Sequence, residues 1–232
     1  MIKTPHHIAG YKMETITAGI SPDWVGGHDL IMNGGSVVIG KSGNGIRWDG
    51  IDDIGTITDS NDFTFANGTN DLPFSISFYI KFAANNVPQW LISKRIQGIG
   101  EEWQITYYLT NPNDARIYFN LYSQNNAANL ISIQSNIFKP VLNQWYLIQT
   151  SYNGSGTKEG LNLYINNIPH LNRVSSGTYV RMQNTLANVQ LGTFNGTAFL
   201  LNGVMDELNI YNKELSFTDL KRVGSGLHPL NG

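Results

Sequence analysis

At 232 residues the chain is long enough for one large all-β domain or two small ones, and a hydrophobic content of 41% supplies a core. Charged residues make up only 14% and the net charge is −2, so there is no electrostatic case for nucleic acid or for an anionic membrane; polarity comes instead from Asn, Ser, Thr, Gln and Gly. There is no cysteine, which excludes disulfides, thiol catalysis and thiolate metal sites, and no run of about 18 apolar residues that would insert into a membrane.

In chain order, residues 1–20 read as an N-terminal extension with one short strand over 11–17. The opening residues lack a continuous apolar core, so no signal peptide is expected there. Residues 21–30 form a turn-rich loop. Asn33-Gly34-Gly35 and Ser42-Gly43-Asn44-Gly45 are turn signals, and 36–39 between them reads as a strand. The 72–82 segment alternates cleanly, with Phe74, Ile76, Phe78, Ile80 and Phe82 on one face. Strands over 90–94, 102–109, 116–122 and 130–135 make an antiparallel meander, with a turn at Asn111-Pro112-Asn113-Asp114. Further strands are expected after Trp145, over 161–165 and over 189–191. In the last strand Val204, Asp206, Leu208 and Ile210 fall on one face, and Met205, Glu207, Asn209 and Tyr211 on the other. Asp206 stands out on an otherwise apolar face. Ser216 with Asp219 has the spacing of a capping box, Leu215 and Leu220 that of a hydrophobic staple, and Gly224 is placed to end the helix.

The closing run Gly203, Asp206, Glu207, Ile210, Tyr211, Leu215 and Ser216 resembles the last strand and capped helix of laminin-G-like, concanavalin A-like jelly-roll domains. Four earlier stretches resemble that family in the same order: 45–55 around Trp48-Asp49-Gly50, the strand from Pro73, the Trp145 strand, and Leu163-Tyr164-Ile165-Asn166-Asn167. Asn167 stands where the family usually has Gly, and Asn also tolerates the left-handed turn position. The resemblance covers residues 25–223. It implies an all-β, two-sheet antiparallel sandwich of about twelve to fourteen strands with one short C-terminal helix, a domain over 21–224 and a tail over 225–232.

The family includes glycoside hydrolases, whose retaining members need two carboxylates about 5 Å apart. The glutamates here (Glu14, Glu101, Glu102, Glu159, Glu207 and Glu214) form no such pattern on one strand, so no catalytic residue is assigned. The histidines show no metal-ligand spacing. Many members hold one structural Ca²⁺ through carboxylates and loop carbonyls, which implies Asp206 meeting the loop of Asp23 and Asp29, with the Asp49, Asp52, Asp53 cluster as a second candidate. The alternative for Asp206 is to accept hydrogen bonds from loop N–H groups, and for the cluster to shape a turn.

A sugar site needs an aromatic platform ringed by amide and hydroxyl groups. The candidates are Trp90, Trp103, Tyr107, Tyr122, Gln124, Asn125 and Asn126, the last three in a loop over 123–129; core filling is the competing role for each aromatic, and Trp48 and Trp145 are assigned to the core. The expected function is a non-catalytic recognition or adhesion module that binds a glycan or cell-surface carbohydrate, displayed on a virion surface or extracellularly. The alternatives are a structural virion protein that packs against other virion proteins or self-associates, and a glycosidase with an unrecognised carboxylate pair.

Overall fold

The computed structural model describes residues 4–96 and 99–230. The strands are, in order, β1 His7–Tyr11, β2 Ile20–Ser21, β3 Leu30–Asn33, β4 Ser36–Ile39, β5 Asn44–Asp49, β6 Ile54–Ile57, β7 Phe74–Phe82, β8 Gln89–Ile96 and β9 Gly100–Asn111. Then follow β10 Asp114–Ser123, β11 Asn126–Gln134, β12 Trp145–Tyr152, β13 Leu161–Ile165, β14 Ile168–His170, β15 Asn172–Ser176, β16 Val189–Leu191, β17 Asn202–Tyr211 and the helix α1 Phe217–Gly224. An eight-stranded sheet runs β14-β13-β12-β7-β17-β5-β4, with β1 also on β17; a nine-stranded sheet runs β15-β11-β10-β9-β8-β16-β6-β3-β2. This is the expected two-sheet antiparallel sandwich.

The core lies between the sheets, and the period-two patterns show why. Phe74, Ile76, Phe78, Ile80 and Phe82 of β7 are all fully buried, facing Trp103, Ile105 and Tyr107 of β9 and Ile117, Phe119 and Leu121 of β10 in one cluster. Phe65 stacks on Phe74 at 3.9 Å between centroids. Each such side chain contributes roughly 1.5–3 kcal/mol by leaving water.

Strand β17 corrects one expectation. A bulge between Asp206 and Asn209, with Glu207 at φ 52°, shifts its register against β7. The extra residue flips the alternation. Met205 before the bulge and Leu208 and Ile210 after it face the core, while Asp206, Asn209 and Tyr211 lie on the outer face; Asp206 therefore does not share a face with Leu208 and Ile210.

At the other end of the chain, the strand expected over 11–17 is instead β1, paired with Leu208 to Tyr211 of β17, so residues expected as an extension add a strand to the sheet. The cap of α1 forms as read: Ser216 Oγ accepts from Asp219 N at 3.1 Å, and Leu215 and Leu220 are buried beside Val223 and Tyr211. Gly224 does not end the helix in a left-handed turn; Gly226 takes that conformation (φ 73°). A side chain on Gly224 would strike Leu147 Cδ2.

Candidate functional site

In β9 the residues Trp103, Ile105 and Tyr107 point into the core, so Gln104, Thr106, Tyr108 and Thr110 point out. In β10 the inward set is Ile117, Phe119 and Leu121, leaving Tyr118, Asn120 and Tyr122 outward. Cross-strand register then aligns two rows on the outer face of the nine-stranded sheet. One is Trp90–Thr106–Tyr118–Gln134, and the other is Gln190–Ser93–Gln104–Asn120–Ser132. A groove of about 460 Å³ lies on the opposite sheet over Val204. On this face the groove is about 350 Å³, lined by Trp90, Arg95, Gln104, Thr106, Tyr108 and Asn120, with Thr110 and Tyr118 at its side.

Tyr108 is the exposed aromatic of this groove, at 37%. It stands edge-on to Trp90 (6.2 Å) and Tyr118 (6.1 Å). Trp90 is held from behind by Phe199, stacked at 4.6 Å, and by Gln104 Oε1, which accepts from its Nε1 at 3.0 Å. The Arg95 guanidinium sits between the rings of Tyr122 and Phe194, 4.7 and 4.8 Å from their centroids. It donates to Gln104 Oε1 at 3.0 Å and pairs with Glu101 at 3.2 Å. That pair leaves the groove without a net charge of its own. Burial pushes the Tyr118 and Tyr122 phenols above their usual range, so both stay neutral hydrogen-bonding groups.

Among the described residues, three buried polar atoms on this face, Ser93 Oγ, Gln190 Oε1 and Arg95 Nε, have no partner. A buried polar atom without a hydrogen bond carries a penalty of about 1–3 kcal/mol. Water or a ligand's hydroxyl reaching the Gln190–Ser93–Gln104–Asn120 row would relieve it.

Of the residues expected to bind sugar, Trp90 and Tyr122 lie on this face. Trp103 and Tyr107 do not: both rings are fully buried in the core, with Trp103 Nε1 donating to Phe63 O and Tyr107 OH to Asn85 O. The loop expected over 123–129 shrinks to a two-residue turn, Gln124-Asn125 (φ 51° and 57°), because β11 already begins at Asn126. These three polar residues are exposed at the end of the β10–β11 hairpin and do not line the groove. Trp145, expected in the core, is half-buried on the outer face of the other sheet under Lys81.

Tyr108 and Tyr118 stand outside the expected set, although the alternation Trp103-Gln104-Ile105-Thr106-Tyr107-Tyr108 carries the signal for Tyr108. Once Trp103 and Ile105 are placed inward, Tyr107 follows them and Tyr108 faces out.

The carboxylates expected to share a calcium separate. Asp206 Oδ2 accepts from Lys41 N at 2.7 Å and Ser42 N at 2.9 Å, which is the hydrogen-bonding alternative. Asp23 accepts from Gly10 N, Val25 N and His28 N, and Asp29 accepts from Asp23 N. These amide contacts lie in two different loops, and Asp206 Oδ1 takes no partner among the described residues. Asp49, Asp52 and Asp53 do bring one oxygen each within 4.8 Å of one another. Their oxygens accept from Gly35, Asp49, Ile51 and Asp52 N–H groups, as a turn requires. Burial raises Asp206 to about 6 and Glu207 to about 7.

A model of the concanavalin A-like lectin/glucanases superfamily matches residues 49–221. Among curated proteins, none matches the chain. Among solved structures, the receptor binding domain of botulinum neurotoxin mosaic serotype C/D is similar over 95% of this chain, at TM-score 0.68 and 17% identity. This chain spans 51% of that one. Domain 4 of AbnA, a GH43 extracellular arabinanase from Geobacillus stearothermophilus, is similar over 94% of this chain and 98% of its own, at TM-score 0.65 and 15% identity. The binding domain of Paraclostridial Mosquitocidal Protein 1 is similar over 93% of this chain and 51% of its own, at TM-score 0.66 and 15% identity. At these identities the likeness establishes a shared fold.

Proposed function

This chain belongs to the concanavalin A-like lectin/glucanases superfamily, and from that premise we propose that it is a non-catalytic glycan-recognition module whose site is the groove on the outer face of the nine-stranded sheet. The observation that carries this reading is the exposed Tyr108, braced by Trp90 and Tyr118 beside a row of amides and hydroxyls with unpartnered atoms. An aromatic face accepts the C–H side of a sugar ring, and Gln104, Thr106 and Asn120 are placed to meet its hydroxyls. Because Arg95 is balanced by Glu101, the ligand class is a neutral oligosaccharide lying along the groove.

Two further points support binding without turnover. Glycoside hydrolysis calls for two carboxylates flanking the scissile bond, and the residues lining the groove include none. Among the similar folds, domain 4 of the arabinanase was solved with arabinotriose, and the botulinum neurotoxin DC binding domain with SialylT and with rat synaptotagmin II. A module of this kind meets glycans when displayed on a cell or virion surface.

The test is a glycan array of the purified chain, run with calcium and again with chelator, beside the Tyr108→Ala variant. Saturable binding to one neutral glycan class, reduced about tenfold or more in the variant, is the expected result. Silence in both conditions, or binding that Tyr108→Ala leaves unchanged, would overturn the proposal.

A further inference from the structure

Sheet edges expose unpaired N–H and C=O groups, and proteins blunt them with proline, charge, shortness or a covering loop. The edges of this sandwich differ sharply in that respect. β14 carries Pro169 and β15 carries Arg173. β2 is only two residues long. The free side of β1 is covered by the following loop, with Trp24 N donating to Gly10 O at 3.0 Å and Gly10 N to Asp23 Oδ1 at 2.9 Å. β4, the last strand of the eight-stranded sheet on the other side, is Ser-Val-Val-Ile with no charge and no proline. Its Val37 and Ile39 are 40% and 83% exposed.

The hairpin fixes which backbone groups of β4 point outward. Gly40 N donates to Gly43 O, and β4 then pairs Ile39 with Asn44, Val38 with Gly45 and Val37 with Ile46. Hydrogen-bonded and non-hydrogen-bonded pairs alternate in an antiparallel ladder. Val38 therefore bonds inward to Gly45, while Val37 and Ile39 turn their N–H and C=O to the open edge.

We propose that β4 is a self-pairing edge, joining two copies of this chain in an antiparallel, two-fold-symmetric dimer. The register is self-complementary. With the axis at Val38, Val37 of one copy faces Ile39 of the other, and both are the residues whose backbone groups point outward. Two hydrogen-bonded pairs form, each exchanging both bonds, around a central non-hydrogen-bonded Val38–Val38 pair. The exposed Val37 and Ile39 side chains meet across the seam. β4 carries no charge to oppose this, and the whole chain has a net charge of only −2. Opposed residues in an antiparallel pair project to the same face, so the axis stands perpendicular to the joined sheet. Both nine-stranded sheets then lie on one side of it, and both grooves look the same way. The bivalent capture of a glycan-coated surface that follows rests on the function proposed above; the dimer itself does not.

Sedimentation velocity on the full chain, up to about 100 µM, reads the dimer directly. The expected result is a concentration-dependent dimer that Ile39→Lys abolishes. Ile168→Lys, at a 62% exposed residue of the proline-guarded edge, leaves it intact. The cysteine-free sequence adds a positional test. Val38→Cys should form a disulfide-linked dimer under mild oxidation, because central non-hydrogen-bonded partners lie about 4.5 Å apart at Cα. Ile168→Cys should not. A monomer throughout that range, a dimer indifferent to Ile39→Lys, or equal cross-linking at 38 and 168 would overturn the proposal. Capture by β4 of a different chain, without self-association, would overturn it as well. None of these readouts involves a glycan, so failure here leaves the groove untouched.

Discussion

On the outer face of the eight-stranded sheet, α1 closes over the strands. Leu220 and Val223 pack with Tyr211 and Tyr164, Gln149 Nε2 donates to Leu220 O at 2.6 Å, and Tyr79 OH donates to Gly224 O at 2.6 Å. Among the described residues no α-helix packs on the outer face of the nine-stranded sheet. That face keeps Tyr108 exposed; among the described residues unpartnered buried atoms occur on both faces, Ser93 Oγ, Gln190 Oε1 and Arg95 Nε here and Gln149 Oε1 and Asp206 Oδ1 on the helix side. Two faces built by the same strand alternation thus do different jobs. One is covered by a helix, and the other presents an exposed aromatic beside a row of amides and hydroxyls.

The comparison can be broken by substitutions that should affect one face and not the other. Leu220→Ala has the largest expected effect: it opens a cavity under α1 and lowers stability by about 2–5 kcal/mol. Thermal melting checks it, and glycan affinity measured well below the melting temperature should not change. Tyr108→Ala should do the reverse, weakening glycan binding about tenfold, or roughly 1.4 kcal/mol, with a melting temperature close to that of the unmodified chain. Ser216→Ala removes the cap of α1 and should lower stability by about 0.5–2 kcal/mol, again without touching the groove.

The smallest effect is a pH dependence on the helix side. Asp206 and Glu207, raised by burial to about 6 and about 7 from ordinary values of 3.8 and 4.5, hold their protons to higher pH in the folded chain than in the unfolded one. Their contribution is full below the unfolded values and is lost as pH rises through the folded ones. The melting temperature should fall between pH 5 and pH 8, and Glu207→Gln should flatten part of that fall.

Much of the frame was legible because strand alternation is a local signal. The β7 run from Phe74 to Phe82, the Asn166-Asn167 turn with both residues at positive φ, and the Ser216 cap appear where the residues put them. The face of Asp206 was not legible, because a single extra residue at Glu207 reverses the alternation and nothing in the local pattern marks the bulge. The groove was half legible. Trp90 lines it and Tyr122 lies on the same face against Arg95, whereas Tyr107 is in the core; the inward positions of Trp103 and Ile105 are what place Tyr107 inside and Tyr108 outside. The partners of Asp206 at Lys41 and Ser42 lie more than 160 residues away in sequence, and only tertiary packing brings them together.

The central claim is that recognition belongs to the outer face of the nine-stranded sheet. Amide chemical-shift mapping, with the chain titrated by the strongest glycan from the array, tests it most directly. The account predicts shifts concentrated at Gln104, Thr106, Tyr108 and Asn120 and spreading to Ser93 and Gln190. Shifts concentrated instead around α1, or in the groove over Val204 on the opposite sheet, would contradict it.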